Sequence, residues 1–282
     1  PIAELINKYF DNYFPRAASI GHELRESNST ARLRWMTHPY LVSLFIDCPP
    51  GLGLHCPTAA ALQTFSAAVA AGDIWWQGFS ANHELALMDK KLIQHGVQIT
   101  RDLDAYFQQP HKEALSTRDV VGMPRSVIPI VKELGIKLLT EGHNGAPWPV
   151  NMPPVFVWRD RPLPAQPSVR HLSPGVSEPS GDDILVLWTD TYGNEGIYVQ
   201  LPNSTHVLAY NWLGDNDGPP SNASVVEENF AFFQQAFPGA KIVASTWEEF
   251  LPEMERVKRL LPVVERESGD SWSFGPPSDP QK

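Results

Sequence analysis

The sequence is poor in cysteine, in basic residues and in long apolar runs, and each shortage excludes a class of protein. Its 282 residues include 22 Lys and Arg against 32 Asp and Glu, so the formal net charge is -10 at pH 7. The sequence contains no cluster of basic residues. Because phosphate binding needs such clusters, we exclude a nucleic-acid partner. No apolar run approaches the roughly 18 residues that cross a bilayer, so we expect a soluble chain with no membrane partner.

The composition is otherwise that of a large folded domain. Hydrophobic residues make up 42% of the chain, which is enough for one sizeable core. The chain begins at Pro1, without Met and without a signal-like segment. We interpret it as a processed product or as part of a longer protein.

The two cysteines and three glycosylation sequons point to the compartment. Cys48 and Cys56 flank a short Pro- and Gly-rich loop, which favours a disulfide in an oxidising environment. Two buried free thiols remain an alternative, and a zinc pair fits the spacing less well. Sequons start at Asn28, Asn203 and Asn222, each weak alone. Together these features predict a secreted or extracellular glycoprotein, or one of a lysosome-like compartment.

Apolar runs alternate with longer amphipathic segments along the chain. The runs predict strands at 32–36, 73–76, 114–117, 136–140, 155–158, 184–189, 197–201, 207–210 and 241–245. Helical periodicity predicts helices at 2–26, 40–46, 58–71, 84–107, 124–134, 225–237 and 247–261, with the first interrupted at Pro15. Strands that alternate with helices indicate an α/β fold with a parallel sheet.

Polar and aromatic side chains follow five of the predicted strands. Their segments are 77–84, 118–122, 141–144, 190–193 and 211–217. Because reacting groups of parallel α/β folds cluster at the carboxyl ends of strands, we expect these segments to share one rim. Carboxylates, amides and aromatic rings are the groups that sugar chemistry uses. Of the adjacent Trp75 and Trp76, one must face the core, because neighbouring strand residues point in opposite directions.

The motifs on these segments occur in an order typical of one enzyme family. They are Gln77-Gly78-Phe79-Ser80-Ala81-Asn82-His83-Glu84, Asp119-Val120-Val121-Gly122-Met123-Pro124, Leu213-Gly214-Asp215-Asn216-Asp217, Ser245-Thr246-Trp247-Glu248-Glu249-Phe250-Leu251 and Gly269-Asp270-Ser271-Trp272. Their order resembles the catalytic barrel of the α-mannosidases of glycoside hydrolase family thirty-eight, and still more that of their uncharacterised secreted relatives. The resemblance spans roughly residues 30 to 275.

The resemblance implies a fold in which part of the barrel lies elsewhere. It implies a (β/α)7-like barrel with parallel strands that lacks its first strand in this chain. The barrel domain would cover residues 1–267, and residues 268–282 would form an extended tail leading out of it. The family's first, metal-binding strand and its region after the barrel are absent from these residues. Further segments of the same protein would then complete the barrel.

The resemblance also implies a mechanism. Asp119 matches the family's nucleophile, which is also a zinc ligand, so the chain would cleave glycosidic bonds with retention in a metal-assisted site. Asp215 or Asp217 would be the acid/base. Zn²⁺ would be the cofactor, although most of its expected ligands lie outside this chain. The expected sugar-binding residues are Trp76, Asn82, His83, Glu84, Arg118, His143, Asn144, Tyr192 and Trp212.

Other interpretations of the same residues remain open. Asp119 precedes a helix and would also serve as its cap, and Asp215 and Asp217 lie in a sequence suited to a turn. Fold does not fix function, so another sugar-cleaving enzyme, either a lyase or a metal-free hydrolase, is one alternative. A catalytically inactive carbohydrate-binding relative is another.

Overall fold

A computed structural model of the protein describes residues 2–27, 29–120, 122–142, 152–160, 182–189, 198–211 and 217–268. It is a mixed α/β structure with a mostly parallel central sheet. Within these ranges no helix is both long enough and apolar enough to cross a membrane.

The N-terminal part of the chain is mainly helical. Its elements are α1 (Ile2–Lys8), a π-helical turn (Tyr9–Tyr13), α2 (Phe14–Glu26), β1 (Trp35–Thr37), α3 (Pro39–Asp47), α4 (Ala59–Ala71) and β2 (Ile74–Trp76). The chain stays helical across Pro15, and the irregularity takes the form of the π-helical turn that precedes α2, since proline removes a main-chain donor from the helix. Thr58 caps α4 and left-handed Gly72 ends it, as the sequence predicts.

The middle of the chain builds most of the central sheet. Its elements are a 3₁₀ turn (Leu85–Leu87), α5 (Lys90–Tyr106), β3 (Ala114–Arg118), α6 (Val127–Glu133), β4 (Leu138–Gly142), β5 (Val155–Arg159) and β6 (Asp183–Thr189). The predicted helix at 84–107 is shorter than expected. The Asp89 carboxylate accepts from the main-chain N of Leu92, at 2.8 Å, and so starts α5 afresh after the 3₁₀ turn.

The last part of the chain adds a hairpin, two helices and an edge strand. The elements are β7 (Tyr198–Gln200), β8 (Val207–Ala209), α7 (Ala223–Ala236), α8 (Trp247–Val257), a 3₁₀ turn (Lys258–Leu260) and β9 (Val263–Val264). The strand predicted at 241–245 does not form, and these residues lead into the Thr246 capping box of α8.

The central sheet has the order β3-β4-β6-β5-β9, and β1 and β2 form a separate parallel pair. The expectation of parallel strands throughout is wrong for β5, which runs antiparallel to β6. Both β5 and β6 are buried on both faces. Strands of that kind have the solid apolar sequence typical of parallel sheets, so their direction could not be deduced from composition.

Two apolar layers cover the faces of the central sheet. One face packs against α8 and the β7–β8 hairpin. Trp75 from β2 packs against this apolar layer. The other face packs against α5 and α6. A third cluster joins α2, α3 and α4 to the outer side of β2, where Trp76 lies. Trp75 and Trp76 therefore point to opposite sides, as expected for neighbours on a strand.

The predicted disulfide is confirmed between Cys48 and Cys56. The disulfide closes the loop after α3. The Asn7 side chain of α1 forms two hydrogen bonds with the main chain of that loop. The Asn7 Nδ2 donates to the Gly53 carbonyl at 2.9 Å, and the His55 main-chain N donates to the Asn7 Oδ1 at 2.8 Å. The disulfide thus helps to attach the N-terminal helix to the α3–α4 connection.

Candidate functional site

The carboxyl ends of β1 and β2 lie side by side, and so do those of β3 and β4. A hydrogen bond of 2.8 Å from the Tyr40 main-chain N to the Ser80 carbonyl joins the segments that follow β1 and β2. A bond of 3.0 Å from the Asp119 main-chain N to the Gly142 carbonyl continues the ladder between β3 and β4. The predicted rim therefore exists within each of these two pairs of strands.

Side-chain amides join β3 to the segment after β2. The Gly78 main-chain N donates to the Ala114 carbonyl at 2.6 Å. Beyond it the Gln77 Oε1 accepts from the Ser116 main-chain N at 2.5 Å, and the Asn82 Oδ1 accepts from the Arg118 main-chain N at 2.8 Å. These bonds provide hydrogen-bond partners for the main-chain groups on the edge of β3 that has no neighbouring strand in the described part of the chain.

Asp119 is the first residue after β3, and its backbone is unusual. Its φ is 60°, a left-handed conformation that costs on the order of 1 kcal/mol for a residue other than glycine. Asp and Asn tolerate this region better than most residues. Such conformations persist only where the surroundings fix them, and they concentrate at functional sites.

The C-terminal segment fixes the loop that follows Asp119. The buried Ser268 hydroxyl accepts from the Met123 main-chain N at 3.0 Å and donates to the Met123 carbonyl at 3.2 Å. The Glu267 carboxylate accepts from the main-chain N of Arg125 at 2.6 Å and from its Nε at 3.1 Å. The backbone on the far side of Asp119 is therefore also anchored.

The Arg118 side chain crosses the sheet over Gly142. A Cβ at Gly142 would lie 2.5 Å from the Arg118 Cδ and Nη1, so only glycine leaves room for it. The guanidinium is 5.5 Å from the Tyr210 ring centre and 5.9 Å from that of Trp247, which are cation–π distances. Burial lowers the pKa of Arg118, while Tyr210 and Glu141 oppose this shift.

Glu141 lies near the end of β4 and is fully buried, with 1% of its surface exposed. Among the described residues neither of its carboxyl oxygens has a well-formed hydrogen bond. The nearby Ser268 hydroxyl is directed at Met123. Burial raises the pKa of Glu141 to about 8, against the opposing effects of Ser268 and Arg118. The carboxyl group is therefore mainly protonated at neutral pH.

Two histidines follow the first two strands. Burial, and then the charge of His83, lowers the pKa of His38 to about 4, and burial also lowers the pKa of His83. The His83 Nε2 is 3.3 Å from the Ser80 Oγ, and its ring contacts Phe79 edge-on. Both rings are therefore neutral at pH 7 and suited to hydrogen bonding.

Some predicted site residues lie away from these strand ends. Trp76 is fully buried, and its Nε1 donates to the Asp104 Oδ1 at 2.8 Å, so its ring serves the core and offers no face to a sugar. Asp217 is exposed. Its carbonyl accepts from the Arg16 Nη2 at 3.1 Å. Glu84 lies partly buried at the start of the first 3₁₀ turn. Asp215, His143, Asn144, Tyr192 and Trp212 lie outside the described residues.

Three residues of this cluster, Glu141, Tyr210 and Trp247, carry only weak signals in the sequence. Glu141 follows an apolar run in the sequence, but a Glu at a strand end is normally exposed, so its burial is not indicated locally. Tyr210 ends an apolar run, and Trp247 opens a helix. Nothing local to either aromatic residue indicates that it faces Arg118, because β3 is far from both along the chain.

The described residues do not provide a metal site by themselves. Among them, no three His, Cys, Asp or Glu side chains come together in a way that could hold a metal ion. Asp119 would need further ligands from outside these ranges.

Of the three sequons, two lie in the described part. Asn203 is exposed in the turn between β7 and β8, with a left-handed φ of 51°. Asn222 caps α7 through its Oδ1, which accepts from the Val225 main-chain N at 3.3 Å. Asn28 lies outside the described residues.

No protein-family model matches the chain, and no curated protein matches its sequence. Solved structures do. An α-mannosidase from Enterococcus faecalis V583 is 12% identical with a TM-score of 0.57, over 91% of this chain and 28% of that one. The fold resembles that of an α-mannosidase. This finding confirms, at the level of fold, the resemblance that the order of the motifs predicted.

Two further solved structures are similar to this chain. A protein in glycosyl hydrolase family 38 from Enterococcus faecalis is 11% identical with a TM-score of 0.49, over 91% of this chain and 27% of that one. A 4-α-glucanotransferase from Thermococcus litoralis is 10% identical with a TM-score of 0.42, over 66% of this chain and 25% of that one. The chain spans about a quarter of the length of the three structures.

Proposed function

We propose that the chain is part of a carbohydrate-active enzyme that cleaves glycosidic bonds with retention, and that Asp119 is its nucleophile. The observation that carries this proposal is the left-handed Asp119 at the carboxyl end of β3. A hydrogen bond holds its main-chain N–H, and another holds Met123, four residues further along the chain. A carboxylate held in this way is preorganised for attack on a bound sugar. The fold likeness to an α-mannosidase supports the choice of substrate class.

In the proposed mechanism the Asp119 carboxylate attacks the anomeric carbon as the bond to the leaving oxygen breaks. A second carboxyl group, for which Asp215 is the candidate, gives that oxygen a proton. Water then takes the place of Asp119 at the anomeric carbon, and the same second group accepts its proton. Two inversions leave the anomeric configuration unchanged.

We propose that the sugar lies over the carboxyl ends of the strands, within a (β/α)7-like barrel that further segments of the protein complete. Arg118 and His83 are the described residues best suited to contact it. The Arg118 guanidinium lies beside the rings of Tyr210 and Trp247, and the neutral His83 carries a ring nitrogen that can donate or accept. Glu84, His143, Asn144, Tyr192 and Trp212 remain proposed contacts.

Zinc remains part of the proposal, with ligands from outside the described residues beside Asp119. Zinc would supply a Lewis acid that binds and orients sugar hydroxyl groups. Metal analysis of the intact protein tests this point, and we expect about one zinc ion per active site. A fully active protein without metal would favour the metal-free hydrolase or lyase.

We also propose a secreted or lysosome-like location. The disulfide between Cys48 and Cys56 supports an oxidising compartment, and exposed Asn203 offers an acceptor for a glycan. Mass measurement of the natural protein before and after enzymatic removal of N-glycans tests the glycan. An unchanged mass would contradict glycosylation.

The decisive variant is Asp119→Asn. We expect turnover of aryl α-mannosides to fall by roughly a thousandfold or more, because the carboxamide cannot form the covalent intermediate. Sugar binding, measured by calorimetry, should persist. Asp89→Asn is the matched control, since it makes the same chemical change at an exposed helix cap. Unchanged turnover in Asp119→Asn would contradict the assignment, and an inactive parent that binds sugar would favour the binding relative.

A further inference from the structure

Asn82 lies in the segment after β2, where the sequence predicts a sugar contact. Its carboxamide instead engages both main-chain polar groups of Arg118. The Oδ1 accepts from the Arg118 N at 2.8 Å, and the Nδ2 donates to the Arg118 carbonyl. The side chain thus takes the place of a neighbouring strand at the last residue of β3.

This contact acts directly on the backbone of Asp119. The Arg118 carbonyl belongs to the peptide group that joins Arg118 to Asp119. The N–H of the same peptide group donates to the Gly142 carbonyl at 3.0 Å. A peptide group is planar, so holding its oxygen from one side and its N–H from the other fixes the orientation of the plane. That orientation, together with the direction of the chain after the Asp119 Cα, sets φ of Asp119, which is 60°.

We propose that Asn82 is a positioning residue that holds Asp119 in its left-handed conformation through the Arg118–Asp119 peptide group. The proposal rests on the proposed function, in which the Asp119 carboxylate reacts. Asn82 acts through the backbone and need not touch the sugar. Its contribution should therefore be to the rate of the chemical step and not to substrate affinity.

Gln77 provides an internal control on the same edge of β3. Its Oε1 accepts from the Ser116 main-chain N at 2.5 Å. This bond is of the same kind, but it contacts neither polar group of the Arg118–Asp119 peptide. Loss of either side-chain amide should weaken the hydrogen bonding along the edge of β3. Only loss of the Asn82 amide should let the Arg118–Asp119 peptide group rotate.

The kinetic test compares Asn82→Ala, Asn82→Asp and Gln77→Leu in the intact protein with an aryl α-mannoside. Asn82→Asp keeps an acceptor for the Arg118 N–H but cannot donate to the carbonyl when ionised. We expect both Asn82 variants to lower kcat roughly 10- to 100-fold, the scale of a misplaced reacting group, with KM within about threefold. Gln77→Leu should keep kcat within about twofold.

Two kinetic outcomes would overturn the inference. A raised KM with unchanged kcat in the Asn82 variants would make Asn82 a sugar contact. Equal losses of kcat in the Asn82 and Gln77 variants would reduce its role to general support of the edge.

Amide hydrogen exchange tests the same geometry without any activity. The Asp119 amide should exchange at least about tenfold faster in Asn82→Ala than in the parent, while Gln77→Leu should affect mainly the Ser116 amide. An Asp119 amide that exchanges at the parent rate in Asn82→Ala would overturn the inference. Full turnover in Asp119→Asn would instead overturn the proposed function, and exchange would still decide whether Asn82 holds the peptide.

Discussion

At the scale of single residues, the main electrostatic feature near Asp119 is a buried carboxyl group whose ionised form is disfavoured by loss of contact with water. Glu141 is fully buried, and burial raises its pKa from an ordinary value of 4.5 to about 8. The folded protein holds this proton over a pH range in which the unfolded chain has released it. Stability must therefore fall as pH rises from about 4.5 towards about 8.

Glu141→Gln should remove this pH-dependent loss. The variant should gain stability relative to the parent as pH rises from about 5 to about 8, by on the order of a few kcal/mol. Urea unfolding at several pH values measures the difference between the two curves. A constant difference across this range would show that Glu141 keeps an ordinary pKa.

Gly142 is the second informative residue, because the Arg118 side chain occupies the space where a Cβ would lie. Gly142→Ala should destabilise the fold by about 1–3 kcal/mol, the usual cost of overpacking. The same change in an Arg118→Ala background should cost much less, because the clash partner is gone. Thermal unfolding of the four proteins gives the coupling energy. Equal costs in the two backgrounds would contradict the steric explanation.

At the scale of elements, sequence periodicity predicted most helices and strands and placed their ends well where the ends have local chemistry. Thr58 and Gly72 mark α4, and the capping box at Thr246 marks α8. The direction of β5 and the failure of 241–245 to form a strand depend on pairing between distant segments. Local pattern carries no information on such pairing.

The site shows the same division between local and distant information. The position of Asp119 at the end of a strand could be predicted because an apolar run precedes it. The roles of Asn82 and Gly142 could not, because each acts on β3 through a contact with a distant segment. The sequence predicts that polar side chains at the carboxyl ends of strands contact a sugar. The Asn82 side chain instead forms hydrogen bonds with the main-chain N–H and carbonyl of Arg118.

The loop closed by Cys48 and Cys56 gives a prediction at this scale. Replacing both cysteines with serine should cost about 2–3 kcal/mol, because a short loop regains freedom in the unfolded chain. Asn7→Ala should add to this loss, since Asn7 holds the same loop on α1. Urea unfolding with and without reductant measures both effects. Equal stability of parent and double variant would contradict a structural role for the disulfide.

At the scale of the whole molecule, the fold likeness and the geometry at Asp119 are independent observations. The likeness to an α-mannosidase covers 91% of this chain but only 28% of that one. It shows the fold and does not identify a nucleophile. The left-handed Asp119, its fixed neighbours and its place at the end of β3 support that assignment on physical grounds.

The most direct test of the central claim is to trap the covalent intermediate. The intact protein is treated with a fluorinated α-mannosyl fluoride that forms the intermediate faster than water releases it, and its peptides are then analysed by mass spectrometry. We predict one added sugar on the peptide that contains Asp119, and none in Asp119→Asn. A sugar attached to any other carboxylate of the active protein would contradict the account.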